Sequence, residues 1–319
     1  NPDFIAHFSS RGPVSPFYIK PDIVAPGAYI NSTQNNGIYN FTSGTSFAAP
    51  HVTGAAALLL QKNPELENHE IKSLLLTTVK PVSDAYGQKF SLHESGSGRL
   101  DIANAYKAKL IINPTNFVIN LSADQPSIEK QLEFKLIQGT LEKIDVKFEG
   151  PEFIEFTHNI KNSNLEIRLN IVGEKYGEHE GKILIEHEKI QYTIPILIHY
   201  TKGSISVYEE NEKLFFEINH PDKWNFAKIT ITNSENGNTD IITTTNKKTS
   251  LKIYENGEYW IDAKIKIDEN TADAFNTIKI TSLSEKVKKI ELGDIPEKQI
   301  IIIVSIIIIV GIVGLLIKK

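Results

Sequence analysis

Neither cysteine nor methionine occurs anywhere in the 319 residues. Without cysteine there are no disulfides and no thiolate metal sites in any part of the chain, whatever its compartment. The compartment itself stays open on that ground, because large sandwich domains fold without covalent staples. Without methionine, and with an opening Asn-Pro-Asp, the N-terminus carries neither an initiator nor a signal peptide. The expectation is a piece of a longer product. A basic excess is also lacking: 34 Lys and Arg against 39 Asp and Glu leave a formal charge of −5. That excludes the electrostatic footprint of a nucleic-acid binder.

Long apolar runs are missing until the end, where Ile300 to Ile317 reads IIIIVSIIIIVGIVGLLI without a charge. At about 1.5 Å per residue, such a helix spans about 27 Å, close to the thickness of a hydrocarbon core. Residues 300–317 are therefore expected to form one transmembrane helix, and the membrane is an expected partner. Lys318 and Lys319 follow it and Asp294 and Glu297 precede it. The positive-inside rule then puts the C-terminus in the cytoplasm and the bulk of the chain outside the cell. Residues 294–299 would be the linker.

Three blocks come before that linker. Residues 1–109 mix loops with helical patterns. In ELENHEIKSLLLTTV, Asn68 is the expected N-cap, with Ile71, Leu74, Leu75 and Thr78 on one face. Asp101 is available to cap a short helix after GSGRL. From Leu110 the hydrophobic period changes to two. Seven short strands across 110–201 and seven more across 202–293 predict two all-β sandwiches of the immunoglobulin or fibronectin kind in series. Tyr259 stands where a late sandwich strand often carries a corner tyrosine. The fold class expected is therefore multidomain, with a mixed helical block, two sandwiches and an anchor.

The stretch with chemistry in it is GTSFAAPHVTGAAALLLQ, from Gly44 to Gln61. A nucleophilic serine must be exposed, close to a base and close to donors that hold an oxyanion. A helix start meets the last need, because its first N–H groups lack intrahelical partners and the dipole favours negative charge. Thr45 near the cap would put Ser46 in the first turn. Pro50 lacks the N–H that would bond the Ser46 carbonyl, which loosens the start. Ala48, Ala49, Gly54, Ala55, Ala56 and Ala57 carry little bulk and would let the helix pass close to its neighbours, with Leu58, Leu59 and Leu60 anchoring its far end. On composition alone, Ser46 could equally be a plain helix cap. The α/β-hydrolase elbow G-x-S-x-G does not fit, because Ala48 occupies the last glycine position.

This stretch resembles the serine-nucleophile signature of the subtilisin-like serine proteases, the subtilases. HFSSRGP (His7 to Pro13), KPDIVAPG (Lys20 to Gly27) and GSGRLDIANA (Gly96 to Ala105) are similar to family segments and stand in the family order. The resemblance covers residues 1 to about 107, the C-terminal third of such an α/β catalytic domain. It implies that Ser46 is the nucleophile of an acyl-enzyme serine endopeptidase, with its own N–H as one oxyanion donor. It also implies that Gly44 and Thr45 shape the substrate-binding loop and that the substrates are proteins or peptides. His51 belongs to the nucleophile motif as a packing residue and points away from Ser46. His7 has no counterpart as a base, and Asp3 and Asp22 are not triad acids.

One departure follows. The family's catalytic aspartate, histidine and oxyanion asparagine lie well upstream of the serine, and 45 residues cannot hold them. The 319 residues by themselves are expected to be inactive. A degenerate protease block on a surface adhesion or scaffold protein is the alternative. No cofactor is expected; calcium is common in the family, but no residues here have its ligand spacing. Sequons at Asn31, Asn40 and Asn120 fit an outside location, although a glycan on Asn40 would crowd Ser46.

Overall fold

The computed structural model describes residues 4–141 and 143–281. The expected linker and the apolar run 300–317 lie outside the described residues. Among the described residues no helix is long and apolar enough to cross a membrane.

The N-terminal segment is loop-rich. An antiparallel hairpin, β1 (Ile30–Thr33) and β2 (Tyr39–Thr42), leads into the long helix α1 (Thr45–Lys62). After it come α2 (Asn68–Thr77), α3 (Leu92–Ser95) and α4 (Ile102–Lys107). The cap of α2 is Glu67 rather than Asn68: Glu67 and Glu70 make a reciprocal capping box, and Asn68 is the first helical residue. A charged Glu-x-x-Glu thus does what a neutral Asn was expected to do. The expected face is there, since Ile71, Leu74, Leu75 and Thr78 are all buried. Asp101 caps α4 by accepting from the Asn104 N–H.

Helix α1 differs more from expectation. Of its 18 residues only Ala55 and Leu59 are buried. Leu58 and Leu60 lie 42% and 39% exposed, so Leu59 alone anchors the far end. A helix turn rotates neighbours by about 100°, so three consecutive leucines cannot share one face. The helix also runs unbroken through Pro50. The His51 ring bonds the Phe47 carbonyl at 2.9 Å and Thr53 Oγ1 donates to the Ala49 carbonyl, which occupies acceptors on the turn around the proline.

Eight strands follow: β3 (Leu110–Asn113), β4 (Phe117–Ser122), β5 (Ser127–Leu136), β6 (Asp145–Glu149), β7 (Ile154–Lys161), β8 (Asn164–Ile171), β9 (Gly177–His187) and β10 (Ile190–Thr201). They form two four-stranded sheets, ordered β3-β5-β8-β7 and β4-β10-β9-β6, with β4 parallel to β10. Their inner faces share one core, which includes Leu132, Leu165, Ile183, Ile185 and Ile196. The same core takes in Ala55, Leu59, Leu74, Leu75 and Ala105 from the helices.

Seven more strands make the second sandwich: β11 (Ser204–Glu210), β12 (Lys213–Asn219), β13 (Phe226–Asn233), β14 (Thr239–Thr244), β15 (Lys248–Lys252), β16 (Gly257–Ile267) and β17 (Asn270–Ile280). A three-stranded sheet, β11-β12-β15, faces a four-stranded one, β14-β13-β16-β17. Phe216, Ile229, Ile261 and Ile265 fill a separate core between them. Tyr259, at the start of β16, donates its hydroxyl to the Glu255 carbonyl at 2.8 Å, which is the corner contact of such folds.

The two sandwiches nearly touch in sequence, with only Lys202 and Gly203 between β10 and β11. A Cβ on Gly203 would lie 2.6 Å from the His220 ring and 3.0 Å from the Asn219 carbonyl. Beside it, Asp124 accepts from Ser122, Ser204 and Asn219, tying the first sandwich to the second.

Candidate active site

The start of α1 is assembled by the segments that precede and follow it. Gly44, at the N-cap, donates its N–H to the Gly27 carbonyl at 2.8 Å. Any side chain on Gly27 would collide with the Gly44 carbonyl, 2.8 Å from where a Cβ would sit. The hairpin is held against the same point by Ser43, whose hydroxyl accepts from the Tyr29 N–H at 2.9 Å. No side chain caps the helix and its first turn holds no acidic residue. Ser46 is therefore an exposed hydroxyl on the first turn of an uncompensated helix dipole, and its own N–H has no intrahelical acceptor. Thr45 is exposed and Gly44 half-buried beside it.

Chain segments far apart in sequence brace this loop. Val24 lies parallel to Arg99, with the Val24 N–H on the Gly98 carbonyl and the Leu100 N–H on the Val24 carbonyl. At Gly96, φ is +58° and a Cβ would meet the Pro21 carbonyl oxygen at 2.2 Å, so only glycine fits. The motifs KPDIVAPG and GSGRL thus meet each other, and the first of them meets the serine loop. Asp22 belongs to that brace. Burial pushes its carboxyl up, but Lys20 and Lys72 outweigh burial and hold it below the usual aspartate range.

A cavity of about 770 Å³ runs beside α1, between its Ala48, Ala49 and Val52 side and the chain around Phe4, Phe8 and Ile23. Gly44 and Thr45 line its end near the helix start, while Ser46 does not face it. Among the described residues Ser46 has no hydrogen-bond partner, and no imidazole or carboxylate contacts it. His51 spends a ring nitrogen on Phe47, and His7 lies exposed, edge-on to Phe8. Asp3 lies outside the described residues. Among them, no cluster of three or more His, Asp or Glu is arranged to hold a metal ion.

The sequons divide. Asn31 and Asn40 sit exposed on the hairpin, whereas Asn120 on β4 lines a cleft between the sandwiches with its Oδ1 buried and unpartnered. The Asn120 triplet is therefore a poor glycan acceptor, contrary to the sequence expectation.

Residues 2–125 match the family model described as "Subtilase family". The N-terminal segment is thus similar to part of a subtilase. Minor extracellular protease Vpr of Bacillus subtilis is 28% identical over 215 residues, covering 61% of this chain and 27% of that protein. Subtilisin-like protease SBT1.6 of Arabidopsis thaliana is 34% identical over 135 residues, 35% of this chain and 18% of that protein. The PII-type proteinase of Lacticaseibacillus paracasei is 37% identical over 133 residues, 36% of this chain and 7% of the relative. The chain thus spans about a quarter or less of the length of these relatives. Among solved structures, a two-domain fibronectin type III segment of chicken tenascin covers 53% of this chain at 12% identity, with a TM-score of 0.22. A titin fragment, domains A168–A170, covers 54% at 6% identity and 0.24.

The segment's contacts with the sandwiches went unread in the sequence. Helix α3 is clasped onto β9 by Glu180, which accepts from the Leu92 N–H, and by Glu178, 2.8 Å from His93. Phe17 and Tyr18 lie on Trp260 of the second sandwich. The available signal was the aromatic pair in GPVSPFYIKP, apolar residues in a proline-bounded loop with no helical or strand period to bury them.

Proposed function

We propose that this chain is part of a serine endopeptidase of the subtilisin-like type, held at the cell surface with its protease segment outside. The supporting observation is the exposed Ser46 hydroxyl on an uncapped helix start, in a loop braced by two further segments similar to those of subtilases. In this reading Ser46 Oγ attacks the scissile carbonyl, its proton passes to a base and from there to the leaving nitrogen, and the C–N bond breaks to release the amine and leave the acyl-enzyme. The Ser46 N–H and the helix dipole hold the developing oxyanion. Gly44 and Thr45 shape the loop against which a peptide would lie beside Ser46. The base, its orienting acid and a second oxyanion donor come from chain outside the 319 residues. The apolar run 300–317 supports membrane anchoring, and a relative named an extracellular protease supports outward exposure.

The test is hydrolysis of a denatured protein by the full gene product, with and without Ser46→Ala. The substitution is expected to lower kcat/KM by several powers of ten. Full-length product that cleaves nothing, with Ser46 intact and the fold verified, would favour a surface scaffold in which the sandwiches carry the function.

A further inference from the structure

Three parts of the chain converge on His199 of β10. The subtilase segment supplies the loop 13–18 and His93 of α3. The first sandwich supplies Glu178 and Glu180 of β9. The second supplies Asp262 and Lys264 of β16 and Asp273 and Phe275 of β17. A cavity of about 500 Å³ lies at the junction. The His199 side chain is only 12% exposed, its Nδ1 is 3.7 Å from Glu178 Oε2, and its Nε2 is buried without a partner. Glu178 is already engaged at 2.8 Å by His93, whose own Nδ1 is buried and unpartnered. The His199 ring packs 5.3 Å from Phe275, and Phe17 meets the same Phe275 edge-on at 6.1 Å. Phe17 also stacks on Trp260 at 5.5 Å, with Tyr18 tilted against it at 5.3 Å.

We propose that this joint is an acid-sensitive latch, in which protonation of His199 releases the loop 13–18 of the subtilase segment from the second sandwich.

The reason is that the closed joint suits a neutral imidazole. Its nearest carboxylate, Glu178, is shared with His93, its Nε2 is buried without a partner, and Lys264 lines the same cavity. Burial accordingly holds His199 below the usual histidine range, with Glu178 and Asp273 only partly opposing it. A base whose pKa is depressed in the closed form binds more protons when open. Closure is therefore favoured at neutral pH and weakens as pH falls below the open-state value of about 6.5. Each unit of depression makes opening about tenfold more favourable once both forms are protonated. Asp262 acts in the opposite sense. Burial raises its carboxyl, so its protonation favours the closed joint at more acidic pH, while Glu180, also raised by burial, belongs to the α3–β9 clasp that stays shut. The Pro16 backbone also lies against His199 and favours the charged ring, but burial outweighs it.

Trp260 reports the joint. The chain has two tryptophans, so Trp224→Phe in the 319-residue protein leaves Trp260 as the reporter. From pH 7.5 to 5.5 its emission is expected to move to the red, with acrylamide quenching rising about threefold or more. Adding His199→Phe, which keeps the packing but cannot titrate, should abolish both changes; His199→Asn replaces it if the phenylalanine variant does not fold. Emission and quenching that stay constant with pH, or that change equally without His199, would overturn the latch. If Trp224→Phe does not fold, amide-exchange protection of Phe17 and Tyr18, corrected for the intrinsic effect of pH, gives the same two-way reading in chains with and without His199.

Discussion

The subtilase-like N-terminal segment meets its two sandwiches through different chemistry. Against the first it is welded: α1, α2 and α4 share one apolar core with the strands, and Ser73 Oγ both donates to the Ile112 carbonyl and accepts from the Ile112 N–H. Against the second it is only leaned, through Phe17, Tyr18 and the ionisable groups around His199. A shared core makes two parts unfold together, whereas a small aromatic and polar contact lets one move while the other stays folded. The first sandwich is thus a structural extension of the N-terminal segment, and the second is a module hung on it.

The sharpest way to break that comparison is Leu74→Ala. Leu74 is 1% exposed in the shared core, and its truncation should cost about 2–5 kcal/mol. Urea melts followed in the helices and in the first sandwich should shift together; separate shifts would show that the weld is not cooperative. Next comes Tyr192→Phe. The buried Tyr192 hydroxyl accepts from the N–H groups of Lys109 and Leu110, 3.1 Å away, where the segment passes into β3. Losing it strands two donors and should cost about 1–3 kcal/mol in the same melts. The joint between the sandwiches should be far less sensitive. Asp124→Ala removes the acceptor that reaches Ser204 and Asn219, yet Asp124 is exposed, so the loss should stay below about 1 kcal/mol. Burial pushes the Asp124 carboxyl up, but its hydroxyl and amide donors outweigh burial and hold it below the usual range. Its contribution is therefore present above the unfolded value of about 3.9 and fades as pH falls through it. Scattering at neutral pH should show wider sandwich–sandwich angles for the variant, a difference that shrinks by about pH 3.

How much of this could be read beforehand depended on how local the signal was. The strands of both sandwiches were legible because polar and apolar residues alternate cleanly in stretches such as Asn164–Ile171. Short β3 was not, since Leu110, Ile111 and Ile112 are all buried and an unbroken apolar triplet has no period. The first half of β17, Asn270–Asn276, was not legible either, because it is mostly polar and small and shows no clean alternation. The hairpin between β9 and β10 turns on Glu188 and Lys189, both at positive φ, without the Asn-Gly signature that marks such turns. The serine loop was legible as a motif, but its bracing was not. That Asp22 meets Gly96 and Val24 pairs with Arg99 is contact between distant segments, and no local pattern encodes it. Nor could the sequence show that α1 would lie largely exposed, since its alanines suit a close-packed helix equally well.

The central claim is that the Ser46 hydroxyl is a nucleophile that works only with partners from elsewhere in the gene product. A fluorophosphonate probe followed by peptide mapping measures this directly. Adduct should form on the Gly44–Lys62 peptide, at Ser46, in the longer product, and none should form on residues 1–319 alone. Modification of the 319-residue chain at Ser46, or a longer active product modified at some other serine, would contradict the account.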